Sequence, residues 1–115
     1  MGRDQLNTSP ADDQFCFVYD LADGAGPEYE ALHRQVPPGV QRALSAGGAY
    51  DYSIFRRNDL VISVLRAHRG LAAIERATAI EPKQPAWAAS LAPLFARTTD
   101  ENGLPLFAHR VFRLP

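Results

Sequence analysis

Tyr29 and His33 stand four residues apart in "YEALHRQVPP", residues 29–38, a stretch that reads as helix. At that spacing two side chains share one helix face. An imidazole takes up and releases protons near neutrality. A phenol one turn away can donate to a second oxygen of the same ligand. The pair suits proton exchange at hydroxyl groups, which is general acid–base chemistry. Each residue also has a plainer use, the histidine as a structural or surface group and the tyrosine as a half-buried ring with a hydrogen-bonded tip. Further candidates lie downstream. Tyr52 supplies another hydroxyl, and Asp51 beside it a carboxylate. The Trp87 indole has a flat apolar face, which serves either the core or a ligand. Arg110 brings a positive charge that would favour an acidic or phosphorylated ligand.

Other chemistries find less support. "ADGAG" and "AHRG" match neither the phosphate-loop nor the dinucleotide fingerprint. His33, His68 and His109 are far apart and form no metal-ligand motif, so no metal site is expected. His68 and His109 read as a loop residue and an exposed strand residue. No nucleophile elbow supports a serine triad. Cys16 stands alone within "FCFVY", where a small buried hydrophobe is its natural role. With 12 basic and 13 acidic residues the formal charge is −1, which argues against a nucleic-acid or anionic-membrane partner. The N-terminus lacks the apolar core of a secretory signal, and no apolar run reaches membrane-spanning length, so a cytoplasmic location is the expectation.

The elements that must position these residues begin at Phe15. Residues 1–14 are polar and read as a flexible tail; residues 15–115 form a single domain, an ordinary size for one core. "QFCFVYDL" is apolar on both faces and predicts a covered central strand. After the "ADGAGP" turn a helix starts near Pro27, with Glu28 and Glu30 at its positive end. Leu32, Val36, Val40 and Leu44 form its buried stripe. Tyr29 and His33 are displaced by one residue from that stripe, which places them at the edge of the core. Pro37-Pro38 either bends the helix or stops it so that a second restarts at Pro38. Gly47 or Gly48 ends it in the left-handed conformation. "AYDYSIF" is a second strand, and regular alternation sets Tyr50, Tyr52 and Ile54 on one face and Asp51, Ser53 and Phe55 on the other. In a regular strand Asp51 and Tyr52 therefore diverge, unless Asp51 reaches across a strand end. "RRND" turns the chain into a third strand, "LVISVLRA". Two helical stretches follow, "HRGLAAIERATAI" and "EPKQPAWAASLAPLFAR", with Pro93 awkward in the second. A loop then leads to a final strand, "LFAHRVFRL". The order β-α-β-β-α-β is the ferredoxin-like split βαβ pattern, an α+β sandwich. Its helices cover one sheet face only. The apolar far side of the first strand calls for a second copy packed sheet to sheet, giving a dimeric α/β barrel.

The same residues carry a family resemblance. Tyr29 and His33 followed by Pro37-Pro38, the block "GAYDYSIF" from Gly48 to Phe55, Trp87, and the ending "RVFRL" together resemble the L-rhamnose mutarotase family, over Phe15 to Leu114. The chain departs from the family pattern at Pro37 and Ala88, where the pattern has tryptophan, at Leu91 for a methionine, and at Arg110 for an acid. The resemblance implies a ferredoxin-like homodimer and a cofactor-free enzyme that interconverts sugar anomers, acting on L-rhamnose or a related deoxy sugar. It implies catalytic roles for His33 and Tyr29, and substrate-binding positions among Tyr52, Trp87, Asp51 and Arg110. Two rivals stand beside it: a cofactor-free isomerase or cyclase for a cyclic or polyketide-like metabolite, and a non-enzymatic dimeric binding protein. Fold alone does not choose among them.

Overall fold

A computed structural model describes residues 13–115. The expected tail, up to residue 12, lies outside the described residues. The last two positions assigned to it are held at the sheet. Gln14 opens the first strand. Asp13 accepts hydrogen bonds from the Tyr50 hydroxyl at 2.7 Å and from Arg66 Nη1 at 2.9 Å.

Strand β1 (Gln14–Leu21) is central, as its two apolar faces predict. On one side it pairs with β3 (Leu60–Ala67), and β2 (Ala49–Arg57) lies beyond. On the other side it pairs with the short strands β4 (Phe95–Arg97) and β5 (Leu106–Ala108). All these pairings are antiparallel. Helices α1 (Gly26–His33) and α2 (Pro38–Ala46) connect β1 to β2; α3 (Leu71–Ala79) and α4 (Gln84–Leu91) connect β3 to β4. The path order β2-β3-β1-β4 is that of a ferredoxin-like α+β sandwich.

Local chemistry explains the breaks. The residue before a proline is pushed out of the helical region, and Pro37 itself is extended at φ −55°, ψ 134°, so the chain stops after α1 and restarts at Pro38. Gly48, at φ 101°, takes the left-handed position after α2. Gly47 has another task. A Cβ there would lie 2.7 Å from the Ile74 Cα, so only glycine lets the end of α2 approach α3 this closely. The expected helix through Arg97 ends early. Pro93 interrupts it in the 3₁₀ turn Ala92–Leu94, and β4 follows. The final strand is also shorter than expected. Ala108 already pairs with Cys16, near the start of β1. In this register Arg110 comes opposite Gln14, the first residue of β1, so among the described residues no strand remains to pair residues 111–115, and Val111, Phe112 and Leu114 are exposed.

On β3 the side chains alternate strictly, and Val61, Ser63, Leu65 and Ala67 face the helices. They support two separate core clusters. One joins Leu21, Tyr29, Val61 and Leu94, with Tyr19, Leu91 and Phe95 packed on it. The other joins Ala49, Leu65, Ala67 and Ile74, with Phe15, Phe17, Leu44 and Leu71 packed on it. Ser63 stands between them along the strand, flanked laterally by Phe17 on β1 and Ile54 on β2. The layer between helices and sheet is therefore not one continuous apolar core.

Candidate active site

An irregularity in β2 shapes the floor of the site. Tyr50 pairs with Arg66 and Ser53 with Val64, so Asp51 and Tyr52 together oppose one residue of β3. Asp51 adopts φ 48°, a left-handed conformation that aspartate tolerates better than most residues. In such a bulge the extra residue re-aims the side chains after it. Regular alternation is thereby broken. Tyr50 turns to the open sheet face, where its ring stacks on His68 at 4.0 Å. Tyr52 and Ile54 face the helices instead, and Asp51 and Tyr52 border the same cavity.

His33, the last residue of α1, is fixed by three contacts. Its Nδ1 lies 2.9 Å from the Tyr29 carbonyl oxygen, one turn back. A carbonyl only accepts, so Nδ1 carries a proton, and in the neutral ring the lone pair is on Nε2. The imidazole lies against the Tyr29 ring, with centroids 4.2 Å apart, and meets the Trp87 indole edge-on at 5.1 Å. Tyr29 is deeper than the sequence suggested. It is 4% exposed, belongs to the first core cluster, and packs edge-on against Phe95.

Tyr19, Tyr29 and Tyr52 border the cavity from the helix side of the sheet. Burial pushes the Tyr19 phenol pKa far up, and pushes that of Tyr29 to about 12, with the neighbouring Tyr52 adding to both shifts. Burial also raises Tyr52, against the opposing influence of the Ser63 hydroxyl beside it. At neutral pH all three are therefore un-ionised hydrogen-bond donors. Ser63 is a candidate that the sequence reading passed over. It is fully buried, and its Oγ forms no well-aligned hydrogen bond in the described chain. Gln84 Oε1 is also buried, with no hydrogen-bond partner among the described residues. Both residues line the cavity, where a hydroxylated ligand would satisfy them. The available signal was a serine among the otherwise apolar inward positions of β3.

The cavity has a volume of about 780 Å³ and lies between the helices and the sheet. It brings together Tyr29, His33, Asp51, Tyr52 and Trp87, along with Ala88 and Leu91. Arg110 does not join them. Its Nη2 donates to Gln14 Oε1 at 3.0 Å, and it borders a separate depression with Cys16, Val64 and Phe112. Gln14 and Cys16 face away from the helices, so the expected role of Arg110 in this cavity is not met within the chain. Its position beyond the end of β5, alongside the start of β1, puts the sheet between it and His33. Among the described residues no three His, Cys, Asp or Glu side chains converge as a metal site, and no helix is long and apolar enough to cross a membrane.

These features define a class: a small ferredoxin-like α+β protein with an aromatic, hydroxyl-rich cavity and a histidine held in one tautomer. The sequence model of the L-rhamnose mutarotases matches residues 14–114, and the chain belongs to that family of isomerases. The crystal structure of an L-rhamnose mutarotase from Formosa agariphila superposes with a TM-score of 0.67 at 19% identity, covering 89% of this chain and 98% of that one. A NIPSNAP-like domain protein from Burkholderia xenovorans gives 0.57 at 18% identity, over 89% and 88% of the two chains. A protein from Agrobacterium tumefaciens gives 0.52 at 16%, over 71% and 82%. At these identities the three establish the fold. Comparison with curated protein sequences gives no match.

Proposed function

We propose that the protein is a mutarotase for a reducing deoxy sugar of the L-rhamnose class, with His33 exchanging the proton at the anomeric hydroxyl. The observation that carries this reading is the Nδ1 contact to the Tyr29 carbonyl, which leaves Nε2 as the basic atom. Nε2 removes the O1 proton as C1=O1 forms and the C1–O5 bond breaks. O5 takes a proton from a phenol, Tyr29 or Tyr52. The open-chain aldehyde rotates about C1–C2. O5 then attacks the other face of C1 and returns its proton to the phenolate, while the imidazolium returns its own to O1. Atoms and charges balance at each stage without a cofactor. Trp87 offers the ring a flat apolar surface, Asp51 a carboxylate acceptor for a ring hydroxyl, and Ser63 a hydroxyl from the floor. The test is anomer exchange of L-rhamnose followed by NMR saturation transfer. Wild-type protein is expected to accelerate exchange; its failure on every reducing deoxy sugar tried would refute the reading.

The proposed active unit is a homodimer. On the face away from the helices, Val18, Ile62, Val64, Phe55 and Leu60 form an apolar surface, with Phe55 58% exposed. A second copy packed sheet to sheet would cover it. Sedimentation at micromolar concentration tests this; a strictly monomeric chain would contradict it.

A further inference from the structure

The cavity is larger than its catalytic end requires. Tyr29, His33, Tyr52 and Trp87 make one end, beside the first core cluster. The lining continues past Ser63 to Val40 and Leu44 of α2, Ala49 of β2 and Ile74 of α3, at the second cluster. These four side chains offer no polar atom to a ligand, and Gln41, Ser45, Glu75 and Thr78 rim the apolar patch they make. The whole space is about 780 Å³. A liquid water occupies roughly 30 Å³. Even if every heavy atom of a deoxyhexose had a share that generous, the sugar would fill less than half the cavity. A pocket of this size takes ligands well beyond a monosaccharide, and apolar walls gain most when an apolar group displaces water from them. Ala88 contributes to this spaciousness, since it offers only a methyl group where a larger side chain would narrow the cavity.

We propose that the lobe walled by Val40, Leu44, Ala49 and Ile74 receives an apolar substituent carried by the ring that His33 serves. The substrate class is then a reducing deoxy sugar with an alkyl, acyl or aryl group on one of its ring hydroxyls. This rests on the mutarotase reading of the His33 end. That chemistry needs a free anomeric hydroxyl at His33, so the substituent is not a glycoside. It leaves the ring from an oxygen away from C1.

The test compares L-rhamnose with its 3-O-butyl and 4-O-butyl ethers, all of which keep O1 free. Affinity is read from Trp87 emission, and anomer exchange from NMR. Each buried methylene is worth about fourfold in affinity, part of which is offset by ordering the chain. One of the ethers is expected to bind at least tenfold more tightly than rhamnose, and to be exchanged. Ser45→Phe and Thr78→Phe place a ring against this lobe from exposed and half-buried positions that leave the core intact. In each, the ether-to-rhamnose affinity ratio is expected to fall toward one, with circular dichroism reporting the fold. Rhamnose exchanged with no gain from either ether overturns the lobe and leaves the mutarotase reading in place. A gain that survives in both folded variants also overturns the lobe. Exchange of none of the three sugars overturns both ideas.

Discussion

His33→Asn separates the chemistry of the histidine from its structural role. The asparagine Nδ2 falls close to the position of the imidazole Nδ1, so it can re-form the 2.9 Å bond to the Tyr29 carbonyl. The ring is lost, and with it the contacts to Tyr29 at 4.2 Å and Trp87 at 5.1 Å. Aromatic contacts of this kind are worth about 0.5–1.5 kcal/mol each. A stability loss of about 1–3 kcal/mol is therefore expected from urea unfolding, which a folded domain of this size tolerates. The chemical loss is separate. No atom replaces Nε2, and removal of a positioned general base typically costs about 10²–10⁴ in rate. That is about 3–5 kcal/mol of transition-state stabilisation. Anomer exchange at saturating sugar reads the rate, and circular dichroism confirms the fold. A folded His33→Asn protein exchanging at the wild-type rate would remove His33 from the mechanism.

Tyr29→Phe keeps the core ring and removes only the hydroxyl, so unfolding should change by less than about 1 kcal/mol while exchange slows less than in His33→Asn; a larger rate loss than in His33→Asn would make Tyr29 the principal proton-transfer group. Ser63→Ala removes a buried hydroxyl without a well-aligned partner, so the free protein should be as stable as wild type or slightly more so, while the sugar binds several-fold more weakly in a Trp87 fluorescence titration; unchanged affinity would remove Ser63 from the site. Asp51→Gly suits the left-handed backbone, whereas Asp51→Ala should cost about 1 kcal/mol in chemical unfolding; equal stabilities would argue against the bulge. Tyr29 titrates near 12 when folded and near 10 when unfolded, and Tyr19 and Tyr52 shift the same way. The unfolded chain therefore ionises first, so this stability is complete below about pH 10 and lost as pH climbs through the folded values, about 2–3 kcal/mol from Tyr29 alone by pH 12. Thermal midpoints measured between pH 8 and 12 should hold and then fall; a flat profile to pH 12 would refute the burial of these phenols.

Much of this was legible along the chain. The central strand announced itself through apolar residues on both faces of "FCFVY", and β1 is indeed paired on both edges. The Pro37-Pro38 break and the glycine stop after α2 follow from backbone sterics that act over one or two residues. Helical spacing set Tyr29 and His33 on one face, and the family pattern singled out Tyr52, Trp87 and Asp51 around them. The sequence misled where a local pattern competed with pairing. "LAPLFAR" continues a helical rhythm, yet Pro93 breaks it and the edge of β1 claims Phe95. "HRVFRL" has the rhythm of a strand, yet β1 starts at Gln14, opposite Arg110, and leaves nothing for Val111 onward to pair with.

What the sequence alone determined was the order of the elements from β1 through α4, the chemical types available near His33 and the lack of a second helix layer. Those follow from short-range forces: torsional preferences, capping and the periodicity of apolar side chains. Tertiary structure alone decided which of those chemical groups meet. A single left-handed residue, Asp51, reverses the alternation of β2, turning Tyr50 outward and bringing Asp51 and Tyr52 to one cavity. Strand registry puts Ser63 between two core clusters, and it leaves Arg110 on the far side of the sheet. The tautomer of His33 depends on a carbonyl one turn away, and the size of the cavity depends on where two helix pairs fail to close over the sheet. Each of these is a relation between distant segments, fixed by packing and pairing energies that no single window of sequence contains.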